Sequence, residues 1–83
     1  MHVERIDRGG DVIYLRLGGV VTDEAEAELD SNLLSDDELG RAVLISLRDA
    51  ILLNSSGIGM LLRLHRTLRE NGGKLVLADI PLS

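Results

Sequence analysis

The residues best placed to do chemistry are Leu52-Leu53-Asn54-Ser55-Ser56-Gly57-Ile58-Gly59, where an apolar run hands over to a helical pattern. Asn and Ser are favoured N-cap residues, because their short side chains accept bonds from the free N–H groups of a first helical turn. Those N–H groups and the helix dipole also favour negative charge, so a hydroxyl there is well sited to carry a phosphoryl group. Two readings of Ser55 stand: a capping residue, or an exposed phosphoacceptor. Gly57 and Gly59 would cost a first turn stability unless another group approaches closely.

Other chemistries do not fit. A nucleophile elbow needs Gly-x-Ser-x-Gly, and the residue two before Ser55 is Leu53. A dinucleotide fingerprint would extend Gly57-x-Gly59 to a third glycine, and position 62 is leucine. A phosphate loop needs Gly-Lys-Ser/Thr, which does not occur. His2 and His65 are the histidines, and His65 has Leu61 and Arg69 as its i±4 neighbours, with no carboxylate to make a metal or acid–base pair. Asp23, Glu24, Glu26, Glu28 and Asp30 read as a solvated acidic face. The expectation is no catalytic set, no metal site and no cofactor.

The elements that must hold this segment can be read from period and punctuation. Residues 2–7 and 11–17 flank Arg8-Gly9-Gly10 as a hairpin; Ile13, Leu15 and Leu17 alternate with Tyr14 and Arg16. Gly18-Gly19 is expected to break the second strand. Thr22 is the predicted cap of a first helix, with Asp23, Glu24 and Glu26 against its dipole and Ala25, Leu29 and Leu33 as its apolar stripe. Ser35 to Glu38 is a polar loop. Ala42 to Leu47 is a buried strand, Arg48 to Asn54 a loop, and Ser55 to Glu70 a second helix. On that helix Arg63, Arg66, Thr67 and Glu70 make the solvent face, opposite Ile58, Leu61, Leu62 and Leu68. Asn71-Gly72-Gly73 stops the helix, Leu75 to Ala78 is another buried strand, and Pro81 ends it. Strand, helix, strand over 42–78 makes a parallel βαβ unit with a right-handed crossover. The expected fold is α/β, a mixed sheet with an N-terminal antiparallel hairpin, helices on one face, in one domain over 1–83.

Composition narrows the function. The 83 residues contain no Cys, Phe or Trp and one Tyr, which excludes thiol chemistry, disulfides and a base-stacking platform. Nine basic and 14 acidic side chains give a net charge of −5, a poor match to a phosphate backbone, so nucleic acid is not expected as a ligand. The charge is asymmetric: residues 1–40 hold 3 basic and 11 acidic side chains, residues 41–83 hold 6 and 3. There is no apolar run of membrane-spanning length and no signal-peptide pattern, so a cytoplasmic protein without membrane insertion is expected.

Asn54-Ser55-Ser56-Gly57-Ile58-Gly59-Met60-Leu61-Leu62, followed by Leu68-Arg69-Glu70-Asn71-Gly72-Gly73-Lys74-Leu75-Val76-Leu77, resembles the signature of the STAS domain family, anti-sigma factor antagonist type. The resemblance is strongest over 42–80 and weaker before residue 40. It implies a partner-switching regulator. Ser55 would be the phosphoacceptor, with Ser56 as second choice. The kinase would be an anti-sigma factor of the histidine-kinase-like ATPase fold, and a metal-dependent serine phosphatase would reverse the reaction. Thr22, Asn54, Ser55, Ser56, Gly57, Ile58 and Gly59 would meet the partner. Two positions depart from the family pattern: Asn54 stands where Asp is usual, and Thr22 where an acidic residue is usual. These departures keep a second function open, a constitutive scaffold subunit of a signalling or lipid-transport complex, with no switch. The chain is also shorter than typical members by a final helix, which predicts uncovered apolar surface and a homodimer or another protein's domain to cover it.

Overall fold

The computed structural model describes residues 1–6, 10–30 and 34–80. The strands and helices are β1 (His2–Ile6), β2 (Val12–Val21), α1 (Ala25–Glu28), β3 (Ala42–Ser46), β4 (Ala50–Leu53), α2 (Ser55–Glu70) and β5 (Lys74–Ala78). Alternation builds the sheet. Ile13, Leu15 and Leu17 of β2, and Val43 and Ile45 of β3, are buried, while Tyr14, Arg16, Leu44 and Ser46 between them lie on the opposite, half-buried face. Ala25, Leu29, Met60, Leu61, Leu64 and Leu68 close the core from the helix side. No polar side chain is buried among the described residues.

The sheet runs β1-β2-β3-β5, with β4 also paired to β2. β1 and β2 are antiparallel; β3 lies parallel to β2 and β5 parallel to β3. This is the expected mixed α/β architecture, with its hairpin and its parallel βαβ unit. No helix among the described residues is long and apolar enough to cross a membrane.

β5 is not the buried strand that the sequence suggested: Val76 is 42% exposed and Leu75 and Leu77 are half-buried, because among the described residues the strand has a neighbour on one side, β3. The structure departs from the sequence reading in four further places. First, Gly18-Gly19 does not break β2. Gly19 takes a left-handed conformation (φ 76°), the register shifts between Gly19 and Val20, and the strand continues to Val21. A glycine at a bulge lets a strand bend and pair on. Second, Ala50–Leu53 is a strand, not part of a loop, because that bulge carries the end of β2 alongside it. Third, α1 is a single short turn with Glu24 as N-cap and no side-chain cap. The Thr22 hydroxyl accepts the Glu24 N–H at 3.2 Å, a local turn just before the helix. After Glu28 the turn widens, and the Leu34 N–H reaches the Leu29 carbonyl at 2.9 Å. Fourth, Ile58 and Leu62 are 46% and 62% exposed, so they are not on the buried face of α2. Arg8, Gly9, Leu33 and Pro81 lie outside the described residues.

The end of α2 follows its glycines. Gly72 adopts φ 86°, its N–H donates to the Arg69 carbonyl at 3.1 Å, and the Gly73 N–H donates to the Leu68 carbonyl at 2.7 Å. That bond pair is the Schellman ending, which satisfies carbonyls the helix would otherwise leave free. It turns the chain directly into β5.

Candidate functional site

The site is the junction of β4 and α2. Asn54 is the N-cap, with extended backbone (φ −87°, ψ 177°). Its Oδ1 accepts the Gly57 N–H at 2.9 Å, and its carbonyl accepts the Ile58 N–H at 3.0 Å. The same Oδ1 accepts the Ser56 hydroxyl at 2.9 Å. Ser56 Oγ in turn accepts the Asp23 N–H at 3.3 Å, so the cap ties the entrance of α1 to the entrance of α2.

The two serines therefore differ. Ser56 is half-buried and holds two bonds. Ser55 is exposed at the first position of α2, and no hydrogen bond holds its hydroxyl among the described residues. The first turn of α2 carries no acidic side chain, so the positive end of a 16-residue helix has no neutralising carboxylate of its own.

Gly57 is buried because the helix entrance is pressed against β2. A Cβ there would lie 2.3 Å from the Val21 carbonyl oxygen and 3.0 Å from Leu53 Cδ1. Gly59 is different: a Cβ would meet only the end of the Arg63 side chain, at 3.4 Å. One turn further on, Arg63 Nη2 bonds Glu26 Oε2 at 2.8 Å, joining α2 to α1. That hydrogen bond, together with the Arg63 charge, holds the Glu26 carboxyl below the usual carboxylate range.

Sequence reasoning missed an apolar groove of about 200 Å³ beside this junction. Leu53, Ile58, Leu61, Leu62, Leu75 and Leu77 line it, and half-buried His65 closes one side. The signal was present in the spacing of Ile58, Leu62 and His65, a second stripe at i, i+4, i+7 beside the buried one. The structure brings Asn54, Ser55, Ser56, Gly57 and Ile58 together, with Thr22 close by in sequence to Asp23, whose N–H joins the cap. His2 stands apart on β1, 3.8 Å from Glu4. Among the described residues no group of three or more His, Cys, Asp or Glu side chains could hold a metal ion.

Solved structures that share this fold include an anti-sigma factor antagonist, a STAS domain and Mglu. SpoIIAA, an anti-sigma factor antagonist in its unphosphorylated form, superposes with a TM-score of 0.70 at 15% identity, over 98% of this chain and 76% of that one. An anti-sigma factor antagonist STAS domain from Rhodobacter sphaeroides gives 0.66 at 17% identity, over 94% and 85%. Mglu gives 0.62 at 21% identity, over 89% of this chain but only 19% of its own, so the likeness covers one part of a much longer protein. No curated protein sequence matches the chain. At these identities the superpositions establish the fold. The sequence adds the family: the model of the STAS domain matches residues 4–82, nearly the whole chain, and the protein belongs to the STAS domain family.

Proposed function

We propose that the protein is a partner-switching regulator of the anti-sigma factor antagonist kind, controlled by phosphorylation of Ser55. The observation that carries this reading is the contrast between the serines: Ser55 offers a free, exposed hydroxyl at a helix N-terminus, while Ser56 is spent on the cap. The resemblance to the family supplies the partners, an anti-sigma factor that is also a serine kinase of the histidine-kinase-like ATPase fold, and a metal-dependent phosphatase. The kinase moves the γ-phosphoryl of ATP onto Ser55 Oγ, ADP leaves, and a kinase base takes the hydroxyl proton. This chain performs no catalysis in that scheme. The added phosphate brings about two negative charges to a surface that previously presented a hydroxyl, enough to repel one partner or recruit another.

The test is incubation with the cognate ATPase-kinase and ATP, followed by phosphopeptide mapping. Phosphate on Ser55, lost in Ser55→Ala and retained in Ser56→Ala, is expected. An unmodified chain whose kinase binding is unchanged in Ser55→Asp would sink the switch. A constitutive scaffold is the second reading. It is favoured by Asn54 and Thr22, neutral residues whose side chains are already spent on backbone N–H groups.

A further inference from the structure

We propose that Val20, Ile51 and Leu52 are the apolar anchor on which the ATPase-kinase docks, with Asp23 and Glu24 as an acidic rim that selects a basic surface on it. This rests on the reading of Ser55 as the phosphoacceptor and adds an anchor that the family resemblance does not assign.

A bulge makes the patch. The pairing of β2 with β4 runs from Gly19 and Ala50 to Val20 and Leu52, so Ile51 is an extra residue with no partner on β2. Strands turn alternate side chains to opposite faces. Ala50 packs against the core, and Ile51 points away from it. The extra residue then breaks the alternation, so Leu52 points outward too, and Leu53 returns to the core. Val20, paired with Leu52, alternates with buried Val21 and shares the outward face. Val20, Ile51 and Leu52 are 44%, 77% and 50% exposed. Regular pairing would have turned Ile51 or Leu52 inward. A bulge that instead aims both at water beside a candidate site marks an interaction surface.

Position supplies the occupant. Leu52 is three residues before Ser55, so their Cα atoms lie within about 11 Å of each other. A protein partner covers about 800 Å², a patch about 30 Å across. A kinase seated over Ser55 therefore meets Leu52 and its two neighbours. Charge supplies its chemistry. Asp23, whose N–H bonds Ser56 Oγ, and Glu24 are exposed at the entrance of α1. Arg63, the cation of the facing helix, is bonded to Glu26 instead. Arg48 lies with Ser46 and Asp79 over the ends of β3 and β5. An apolar centre with a negative border fits an apolar surface bordered by lysine or arginine.

Titration calorimetry with the purified cognate ATPase-kinase, run beside phosphate incorporation at Ser55, tests this. Ile51→Ser and Leu52→Ser change exposed side chains and are expected to keep the wild-type melting curve by circular dichroism. Each is expected to weaken kinase binding about tenfold or more. Ile51→Val, one methylene smaller, should weaken it less than about fourfold. Asp23→Asn combined with Glu24→Gln should flatten the salt dependence of binding. Ser55→Ala should bind as the wild type does and take no phosphate. Folded Ile51→Ser and Leu52→Ser proteins that bind like the wild type would overturn the anchor and leave the Ser55 switch standing. An unchanged salt dependence in the double variant would overturn the rim. A kinase that binds through the patch but puts no phosphate on Ser55 would overturn the switch and support the docking surface, and a kinase that does not bind the wild type would overturn both.

Discussion

Gly57 and Gly59 sit two residues apart in one helix, yet alanine is expected to act with opposite sign at each. On an isolated helix either change would stabilise by about 0.5–1 kcal/mol, since glycine leaves more backbone freedom to lose. At Gly57 the new Cβ would stand 2.3 Å from the Val21 carbonyl oxygen and 2.9 Å from its carbon. Both are backbone atoms of a buried strand, so relief requires moving α2 away from β2. That strains the bond from the Asn54 N–H to the same carbonyl, at 3.4 Å. Overpacking costs about 1–3 kcal/mol where side chains can adjust, and a fixed carbonyl places this site at the top of that range. The net expectation is a loss of about 2 kcal/mol. At Gly59 the only close atom is Arg63 Nη1 at 3.4 Å, the end of a long exposed side chain, so the helix gain survives. Urea unfolding followed by circular dichroism reads both, and each kcal/mol corresponds to about 4–8 °C in Tm for a domain this small. A Gly57→Ala protein as stable as wild type, or two shifts of the same sign, would refute the close approach of α2 to β2.

Asn54→Ala removes the cap and leaves the Ser56 hydroxyl without its acceptor; a loss of about 1 kcal/mol by the same assay is expected. Leu61 and Leu62 are neighbours in sequence, but Leu61 is buried and Leu62 exposed. Leu61→Asp should cost about 3 kcal/mol or more, enough to unfold much of the protein, while Leu62→Asp should leave the thermal melt of the monomer within about 0.5 kcal/mol. Glu38 accepts from Arg5 Nη1 at 2.9 Å and from the Ser35 N–H at 3.0 Å, and the arginine bonds first, then the Ser35 N–H, pull its pKa from 4.5 to about 2. A carboxylate depressed on folding stabilises above its unfolded value, and that contribution fades as pH falls from about 4.5 towards 2. Wild-type stability should drop across that window by about 1 kcal/mol more than that of Glu38→Gln, allowing for solvent screening of the arginine. Parallel pH curves for the two proteins would count against the pair.

What could be read from the sequence depended on whether its cause was local. The bounds of α2 were legible at both ends because Asn54 and Gly72-Gly73 act within one turn of themselves. β4 was not legible. Ile51 and Leu52 are 77% and 50% exposed, so the segment lacks alternation, and it is a strand only because the bulge at Gly19 delivers β2 to it. Period alone shows that α2 has apolar residues on several sides. Which stripe meets the sheet depends on the crossing of helix and strands, and so Ile58 and Leu62 were placed on the wrong face. The serine pair was visible as a motif, but the difference between its members was not. It comes from the Asp23 N–H, 33 residues away, which fixes Ser56 and leaves Ser55 free.

The contact between Gly57 and Val21 bears on what kind of signal this junction can send. The helix entrance lies so close to the Val21 carbonyl that no side-chain atom fits between them. A modification at Ser55 would therefore change what the surface says without changing the shape that says it. The information would be a printed mark, legible only to a reader that comes close enough to feel the charge, rather than a lever whose motion is felt at a distance. If Ser55 is the modified residue, the discrimination would fall to the partners that dock against it.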